Sequence, residues 1–361
     1  MTKRLKKLQK SLADHKLDAL LVRTHESDNQ NVMYLSGFNG SSAVLLITRK
    51  DALIVTDARY YTRAQAEATD FTLVKMLRGK RQTDAINDAL RAAEIGKAER
   101  VGFEASLTSV TVADSWKENL RAKIVPTTHI VERFRQYKDK HEVACLRHAC
   151  KVTSKVYNEV AVLLEPGMTE KSVAFELDMR LRKLGASDNS FDSIVASGPN
   201  SAIPHHATSE RKLKAGEPVI MDFGGIFEGG YCSDITRTAF VPGKKPDPKM
   251  REIYEVVLAA NKLARKALRP GMLNCVYDKV ARDHIIKSGY GEYFTHGLGH
   301  SLGLVAHDPY DYEHDAFEIG SVITDEPGIY IEGFGGVRIE DDLVLTKDGV
   351  ERLTTAPYWK F

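Results

Sequence analysis

The sequence predicts two domains: an α/β domain with a mixed sheet, followed by a larger α+β domain built on an internal pseudo-twofold repeat. Three observations predict this. In the first third, the strand-like runs LDALLVRT, SAVLLITRK, DALIVTDAR and TLVKML alternate with a helix-like stretch around Tyr61 to Ala68, and such alternation builds a sheet with helices packed against it. The segment HIVERFRQYKDKHEVACLRHA then passes from charged sequence into a long helical pattern ending before Pro166-Gly167, which places a boundary near residue 132 and the domains at 1–131 and 132–361. Beyond it, Pro166-Gly167-Met168, a helix-like stretch and Gly185 return 104 residues later as Pro270-Gly271-Met272, a second such stretch and Gly289. A repeat of this size predicts two similar units about a pseudo-twofold axis.

Taken in order, the chain opens on MTKRLKKLQK, where Leu5, Leu8 and Leu12 share one helical face among lysines. An ordinary solvated helix is the expectation, ahead of a membrane-surface or transit segment, because no apolar signal-peptide core follows. No run of about eighteen apolar residues occurs anywhere, so no membrane association is expected and the compartment expected is the cytoplasm. Asp57 and Arg59 are expected to cap and brace the helix that follows them. With 361 residues, 43% of them hydrophobic, the chain can bury two substantial cores. Its 51 Lys and Arg against 49 Asp and Glu leave a formal charge of +2, which gives no electrostatic footprint for nucleic acid. Cys145, Cys150, Cys232 and Cys275 form no C-x-x-C pair and no evident disulfide framework, so reduced thiols are expected, Cys232 packing on a strand.

The second domain carries the chemistry. Asp222 lies in GEPVIMDFGG, after an apolar run that reads as a buried strand, and a bare anion there is costly. Asp234 follows in YCSDITRTAF across the turn signal Gly229-Gly230, so the two aspartates are expected to face each other across a hairpin. Glu326 in VITDEPGIY and Glu340 in GVRIEDDLVL repeat the plan, with Gly333, Gly335 and Gly336 marking the turn. The 104-residue offset maps Asp222 onto Glu326, Gly216 onto Gly320 and Gly224 onto Gly328, whereas His300 falls on Ala196. His300 stands in FTHGLGHSLGLVAHD, whose glycines remove side-chain bulk and let backbone and histidines approach a common centre. Four carboxylates and one imidazole predict a site for two divalent cations, since shared carboxylates offset the repulsion between ions a few ångströms apart.

These residues also carry a family resemblance. ASGPNSAIPHH, MDFGG, YCSDITRT, HGLGHSLGLVAHD, DEPGIY and GVRIEDD resemble the ordered motifs of the pita-bread metallopeptidases, in the Xaa-Pro peptidase branch that contains aminopeptidase P and prolidase. The N-terminal LSGFNGSSAVLLIT and LIVTDARYYTRAQAEA resemble the creatinase/prolidase-type domain of small bacterial aminopeptidase P-like enzymes, so the likeness spans essentially the whole chain. It implies that Asp222, Asp234, His300, Glu326 and Glu340 are the metal ligands. It implies catalytic or substrate-binding roles for His205, His296, His307 and Arg338 and a proton shuttle at Glu326; Tyr330 in EPGIY reads either as a substrate contact or as a core tyrosine with a satisfied hydroxyl. A homodimer is implied as well, with the N-terminal domain narrowing the entrance to the site. From Asp222 to Asp234 this chain has one step more than the family pattern, and the FEGG tip is expected to absorb it, since a slip within a strand would turn a ligand to the wrong face.

Two cations would acidify a shared water into a hydroxide nucleophile for a scissile carbonyl, and histidines would supply donors and protons near neutral pH. Mostly carboxylate donors without a cysteine favour a hard or borderline ion, which together with the resemblance selects Mn²⁺, with Co²⁺ and Zn²⁺ as alternatives. The activity that the resemblance implies is removal of the N-terminal residue from short peptides with proline in second position. Prolidase, acting on Xaa-Pro dipeptides, is the near alternative. A methionine aminopeptidase shares the ligand set but usually lacks so large an N-terminal domain. A reading from another class, a catalytically inactive pita-bread protein that binds peptides or proteins, is opposed by the five intact ligand positions.

Overall fold

Leu5, Leu8 and Leu12 are fully buried, so helix α1 (Lys3–Ser11) docks its apolar face into the protein while its lysines face out. In the computed structural model, which describes residues 3–25, 29–309 and 316–361, the chain divides into two compact units, Met1–Arg135 and Gln136–Phe361.

The first unit is built on a six-stranded sheet of β1 (Ala19–Arg23), β2 (Ala43–Thr48), β3 (Ala52–Asp57), β4 (Thr72–Met76), β5 (Arg100–Glu104) and β6 (Lys123–Thr127), in the order β4-β3-β2-β1-β5-β6. Pairing is antiparallel for β1 with β2 and β2 with β3, and parallel for the rest, so the sheet is mixed. Helices α2 (Gln30–Ser36), α3 (Tyr61–Glu67), α4 (Gln82–Ala92) and α5 (Val110–Asn119) accompany it, and the short α6 (Glu132–Arg135) closes the unit. Leu21, Val44, Ile86, Phe103 and Trp116 meet in its core. Asp57 does not cap α3: the N-cap is Tyr60, with no side-chain bond. The Asp57 carboxylate instead accepts from the Arg59 backbone N–H at 3.1 Å and from its guanidinium at 2.8 and 2.9 Å, bracing the turn that leads into the helix.

The second unit starts on α7 (Lys140–Ala161), whose Asp139–Glu142 capping box satisfies the first-turn N–H groups. Thr169 caps α8 (Glu170–Lys183) in the same way. Helix α8 leads to β7 (Asp188–Asn189) and β8 (Ile194–Ser197), which joins β9 (Pro218–Phe223) and β11 (Ile235–Phe240) in a three-stranded sheet; β10 (Gly225–Ile226) pairs with β7. The second half repeats this with α9 (Pro248–Ala267), α10 (Asn274–Lys287), β12 (Val322–Asp325), β13 (Gly328–Ile331), β14 (Gly335–Arg338), β15 (Asp341–Thr346) and β16 (Gly349–Arg352). Helices α7 and α8 bury Val156, Leu177 and Leu181 with the first sheet, and α9 and α10 bury Val257, Tyr277 and Ile285 with the second. Trp359, near the C-terminus, packs against both clusters.

The 104-residue repeat is legible bond by bond. Gly167 N–H donates to Leu213 O and Gly271 N–H to Phe317 O, while Leu213 N–H donates to Met168 O and Phe317 N–H to Met272 O. Strand β9 pairs with β11 at Asp222↔Thr236, and a bridge at Ile226↔Cys232 keeps that register. Carried forward by 104, Asp222↔Thr236 becomes positions 326 and 340, which fall between Asp325↔Asp341 and Gly328↔Arg338 of the second hairpin. Both hairpins turn at repeat-equivalent glycines, Gly229 at φ 73° and Gly333 at φ 74°, a left-handed conformation that disfavours a side chain. The register between Asp222 and Asp234 therefore does not slip. Among the described residues, no helix is long and apolar enough to cross a membrane.

Candidate metal centre

Asp222 is the fifth residue of β9, and Asp234 immediately precedes β11. Residues two apart on a strand share a face, so Asp234 lies on the same side as Thr236, the direct partner of Asp222. Glu326 follows β12 and Glu340 precedes β15, at the kink where the second hairpin passes from one ladder to the next. His300 is held against β12. Its N–H donates to Thr324 Oγ1 at 2.9 Å, and its carbonyl accepts from Thr324 N–H at 2.8 Å. That approach requires Gly299, where an added Cβ would sit 2.2 Å from the Thr324 carbonyl oxygen.

The two halves meet on the pseudo-axis at repeat-equivalent residues. Glu340 N–H donates to Thr236 O at 3.0 Å, and the Thr236 hydroxyl donates to Glu340 Oε2 at 2.8 Å. Only one carboxylate pair obeys the repeat, Asp222 with Glu326. The counterpart of Glu340 is Thr236, and the counterpart of Asp234 is Arg338. Arg338 reaches back to donate to Asp222 Oδ2 at 2.5 Å and, through Nε, to Thr236 Oγ1 at 3.1 Å.

Asp234, His300 and Glu340 each place a donor atom within 4.8 Å of the others. His300 Nε2 is 3.3 Å from Glu326 Oε1 and 3.7 Å from Asp234 Oδ2. Burial pushes the Asp234 carboxyl well above the usual carboxylate range, and the charges of Glu340, Asp222, Asp342 and Glu326 add to it. Glu340 is raised by burial and then by Glu326, Asp222 and Asp342, and Glu326 is raised by burial. Asp234 Oδ1 is buried without a hydrogen-bond partner. Such an orphaned oxygen among mutually repelling carboxylates is costly unless a cation or a proton neutralises it. The oxygen-rich donor set with one imidazole fits divalent metal ions.

The centre opens on a cavity of about 780 Å³, lined by Asp222, Asp234, His300, Glu326 and Glu340 together with His205, His296, His307 and Arg338. His307 stacks on His300 with ring centroids 3.8 Å apart. Burial, then the neighbouring His300 and His205, lower it to about 4; burial likewise lowers His296 and His300. Tyr330 does not line the cavity. It is buried, its hydroxyl accepting from Arg338 Nη1 at 2.9 Å and lying 2.8 Å from His296 Nε2. The Gly297 carbonyl, 2.7 Å from His296 Nδ1, can only accept, so Nδ1 carries the proton and Nε2 accepts from Tyr330. Arg338, Tyr330 and His296 thus form one hydrogen-bonded chain, and His205, His206 and His307 also line the cavity.

Sequence reasoning passed over the residues that hold the carboxylates: Thr236 on Glu340, Thr324 donating to Glu326 Oε1 at 3.1 Å, and Asp342 accepting from Asp234 N–H at 3.4 Å and from the Cys150 thiol at 3.0 Å. Thr236 had a signal, because the repeat maps it onto Glu340.

Two carboxylate hairpins closed about a pseudo-twofold over a histidine-lined cavity define a metal-dependent hydrolase of the pita-bread fold. The chain belongs to metallopeptidase family M24, whose model matches residues 144–347, and a creatinase/prolidase N-terminal domain matches residues 4–137. It is a metallopeptidase that uses divalent metal ions and acts on peptides. It is 37% identical to the uncharacterized peptidase YqhT of Bacillus subtilis, over 98% of each chain. Among solved structures it resembles the Xaa-Pro dipeptidase from Bacillus anthracis, with TM-score 0.91 and 34% identity over 99% of this chain and 98% of that one. The X-Pro aminopeptidase from Thermotoga maritima MSB8 superposes with TM-score 0.88 and 33% identity, over 96% of this chain and 97% of that one.

Proposed function

We propose that this metallopeptidase hydrolyses the Xaa-Pro bond at the N-terminus of short peptides, with Asp222, Asp234, His300, Glu326 and Glu340 holding two divalent ions. The observation that carries the reading is the buried carboxylate cluster beneath a cavity whose wall presents His205 and His307. Divalent ions there supply Lewis acidity, which polarises a scissile carbonyl and makes water a stronger acid. Glu326, raised by burial, is suited to accept a proton from the attacking water and to return it to the leaving prolyl nitrogen. His307, neutral at pH 7, donates a hydrogen bond to the developing oxyanion without carrying charge into the site. His205 contacts the substrate from the facing wall. Arg338 holds Asp222 and, through Tyr330, fixes the His296 ring, so we assign those two residues to orientation of the site.

The oxygen-rich donors favour Mn²⁺ over softer-site metals. The four cysteines form no disulfide with one another, which supports a reducing, cytoplasmic setting. A homodimer is inferred from the family resemblance. The dipeptidase names of relatives favour prolidase as the second reading. One experiment separates the two: the Mn²⁺-loaded chain is given a Xaa-Pro dipeptide and a tripeptide with the same first two residues. Tripeptide cleavage with little dipeptide turnover selects the aminopeptidase, and the reverse selects prolidase. Cleavage of neither, by protein that has bound the metal, sinks the proposal.

A further inference from the structure

We propose that His206, anchored on the buried carboxylate of Glu170, is a positioning residue that presents its neighbour His205 to the substrate. The inference rests on the Xaa-Pro peptidase reading above, in which His205 is a substrate contact.

Glu170, the first residue of α8, is fully buried. A buried carboxylate is tolerated when donors fill its lone pairs, and six do so here. Oε1 accepts from Ser197 N–H at 2.7 Å, Ser197 Oγ at 2.8 Å and Asn200 Nδ2 at 3.0 Å. Oε2 accepts from His206 Nε2 at 2.8 Å, Ser209 N–H at 3.1 Å and Ser209 Oγ at 2.6 Å. Burial alone would raise this carboxyl, yet Ser209, His206 and Ser197 hold it below the usual range.

All six donors come from the stretch 197–209, whose middle carries His205. Exposure there alternates: Ile203, His205 and Ala207 are exposed, and Pro204, His206 and Thr208 are half-buried. Pro204 and His205 form a turn, and His206 is the first residue after it, so the anchor sits at the end of the turn that carries His205. All of 204–208 border the cavity, but the His206 ring is held by its Nε2 on Glu170, which fixes the backbone from which the exposed His205 side chain rises. Thr208 reinforces the register, its Oγ1 accepting from Val195 N–H and donating to Ser193 O, both at 2.9 Å. Neither Glu170 nor His206 is among the five proposed metal ligands, so the clamp can be altered without altering the ligand set.

The test is a double-mutant cycle on the metal-loaded chain with His205→Ala, His206→Ala and the pair, reading KM, kcat, metal content and the dissociation constant of a proline-containing product peptide. His206→Ala is expected to raise KM and that dissociation constant about 10-fold with metal content unchanged, the loss of roughly one charge-assisted hydrogen bond's ordering effect. His206→Gln, whose amide can donate from the same reach, is expected to restore both to within about twofold. In the His205→Ala background, His206→Ala is expected to add nothing, because it acts through His205. Equal effects in both backgrounds, or none in the native one, overturn the proposal. Should His206→Ala not fold, His206→Leu, which fills the space without a donor, completes the cycle. A wild-type chain that cleaves no Xaa-Pro peptide overturns the peptidase reading itself, and the clamp with it.

Discussion

Thr236 and Glu340 occupy equivalent places in the two halves of the repeat and touch each other. One kept a hydroxyl and the other is a carboxylate, so a symmetric framework carries an asymmetric set of ligand-type groups. The Thr236 hydroxyl donates to Glu340 while receiving Arg338 Nε, which fixes the carboxylate rotamer. Groups that orient ligands in this way typically contribute 10–100-fold in metal affinity. Thr236→Val keeps the shape and removes the bond. It is expected to weaken metal binding by about 10-fold or more in a chelator competition, and unchanged affinity would show that Glu340 needs no such support. Arg338, Tyr330 and His296 illustrate the same point from another side: a tyrosine beside a ligand motif reads as a substrate contact, yet its hydroxyl is used up between two other residues.

At the scale of elements, the hairpins deliver the carboxylates and the glycine-rich segment delivers the imidazole. Two glycine substitutions should therefore behave differently. Gly333→Ala places a Cβ in open space at φ 74°, and should lower stability by about 1–2 kcal/mol while leaving metal content intact. Gly299→Ala drives a Cβ against the Thr324 carbonyl, so His300 must move and bound metal should fall sharply, by elemental analysis. Equal metal loading in both would remove close backbone approach as the reason for that glycine. Helix α8 carries a second prediction, in acid. The Glu170 carboxyl is held below its ordinary 4.5 in the folded chain, so on acidification the unfolded chain takes up the proton first. The stability it contributes is present above about pH 4.5 and is lost as pH falls through the folded value. In urea titrations between pH 6 and 3, wild type should lose more stability than Glu170→Gln. Parallel curves would contradict the assignment.

Across the whole catalytic unit, the halves are tied by a buried ion pair. Arg237 on β11 donates to Asp341 on β15 at 2.7 Å, both fully buried, and also to the carbonyls of Ala356 and Pro357. Burial opposes both charges, but each raises the other's tendency to stay ionised. Removing one partner of such a pair usually costs 3–5 kcal/mol. Arg265 and Arg352 also lie within 3.1 and 3.6 Å of Asp341, so Arg237→Leu is expected near the lower end, about 3 kcal/mol by denaturant unfolding. A change under 1 kcal/mol would mean that the other arginines take over fully.

The class of chemistry and the repeat that frames it are legible in the residues alone, because Asp, Glu and His donors and turn glycines are set by residue type and spacing, and a 104-residue recurrence is a property of the chain before it folds. The sequence also exposed four strands of the first unit through their apolar runs, but not β5 and β6: RVGFE and KIVPT are short and interrupted by Gly and Pro, and parallel pairing with distant strands, not local pattern, makes them strands. The leucine face of α1 could equally have met water. Packing and register settle that it is core, that the Thr236 hydroxyl rests on the Glu340 carboxylate, that Tyr330 lies behind the cavity wall between His296 and Arg338, and that His206 rests on Glu170. Each of these depends on which residues far apart in the chain are brought within hydrogen-bond or packing distance, and that is set by the register of the hairpins and the closure of the two halves on each other.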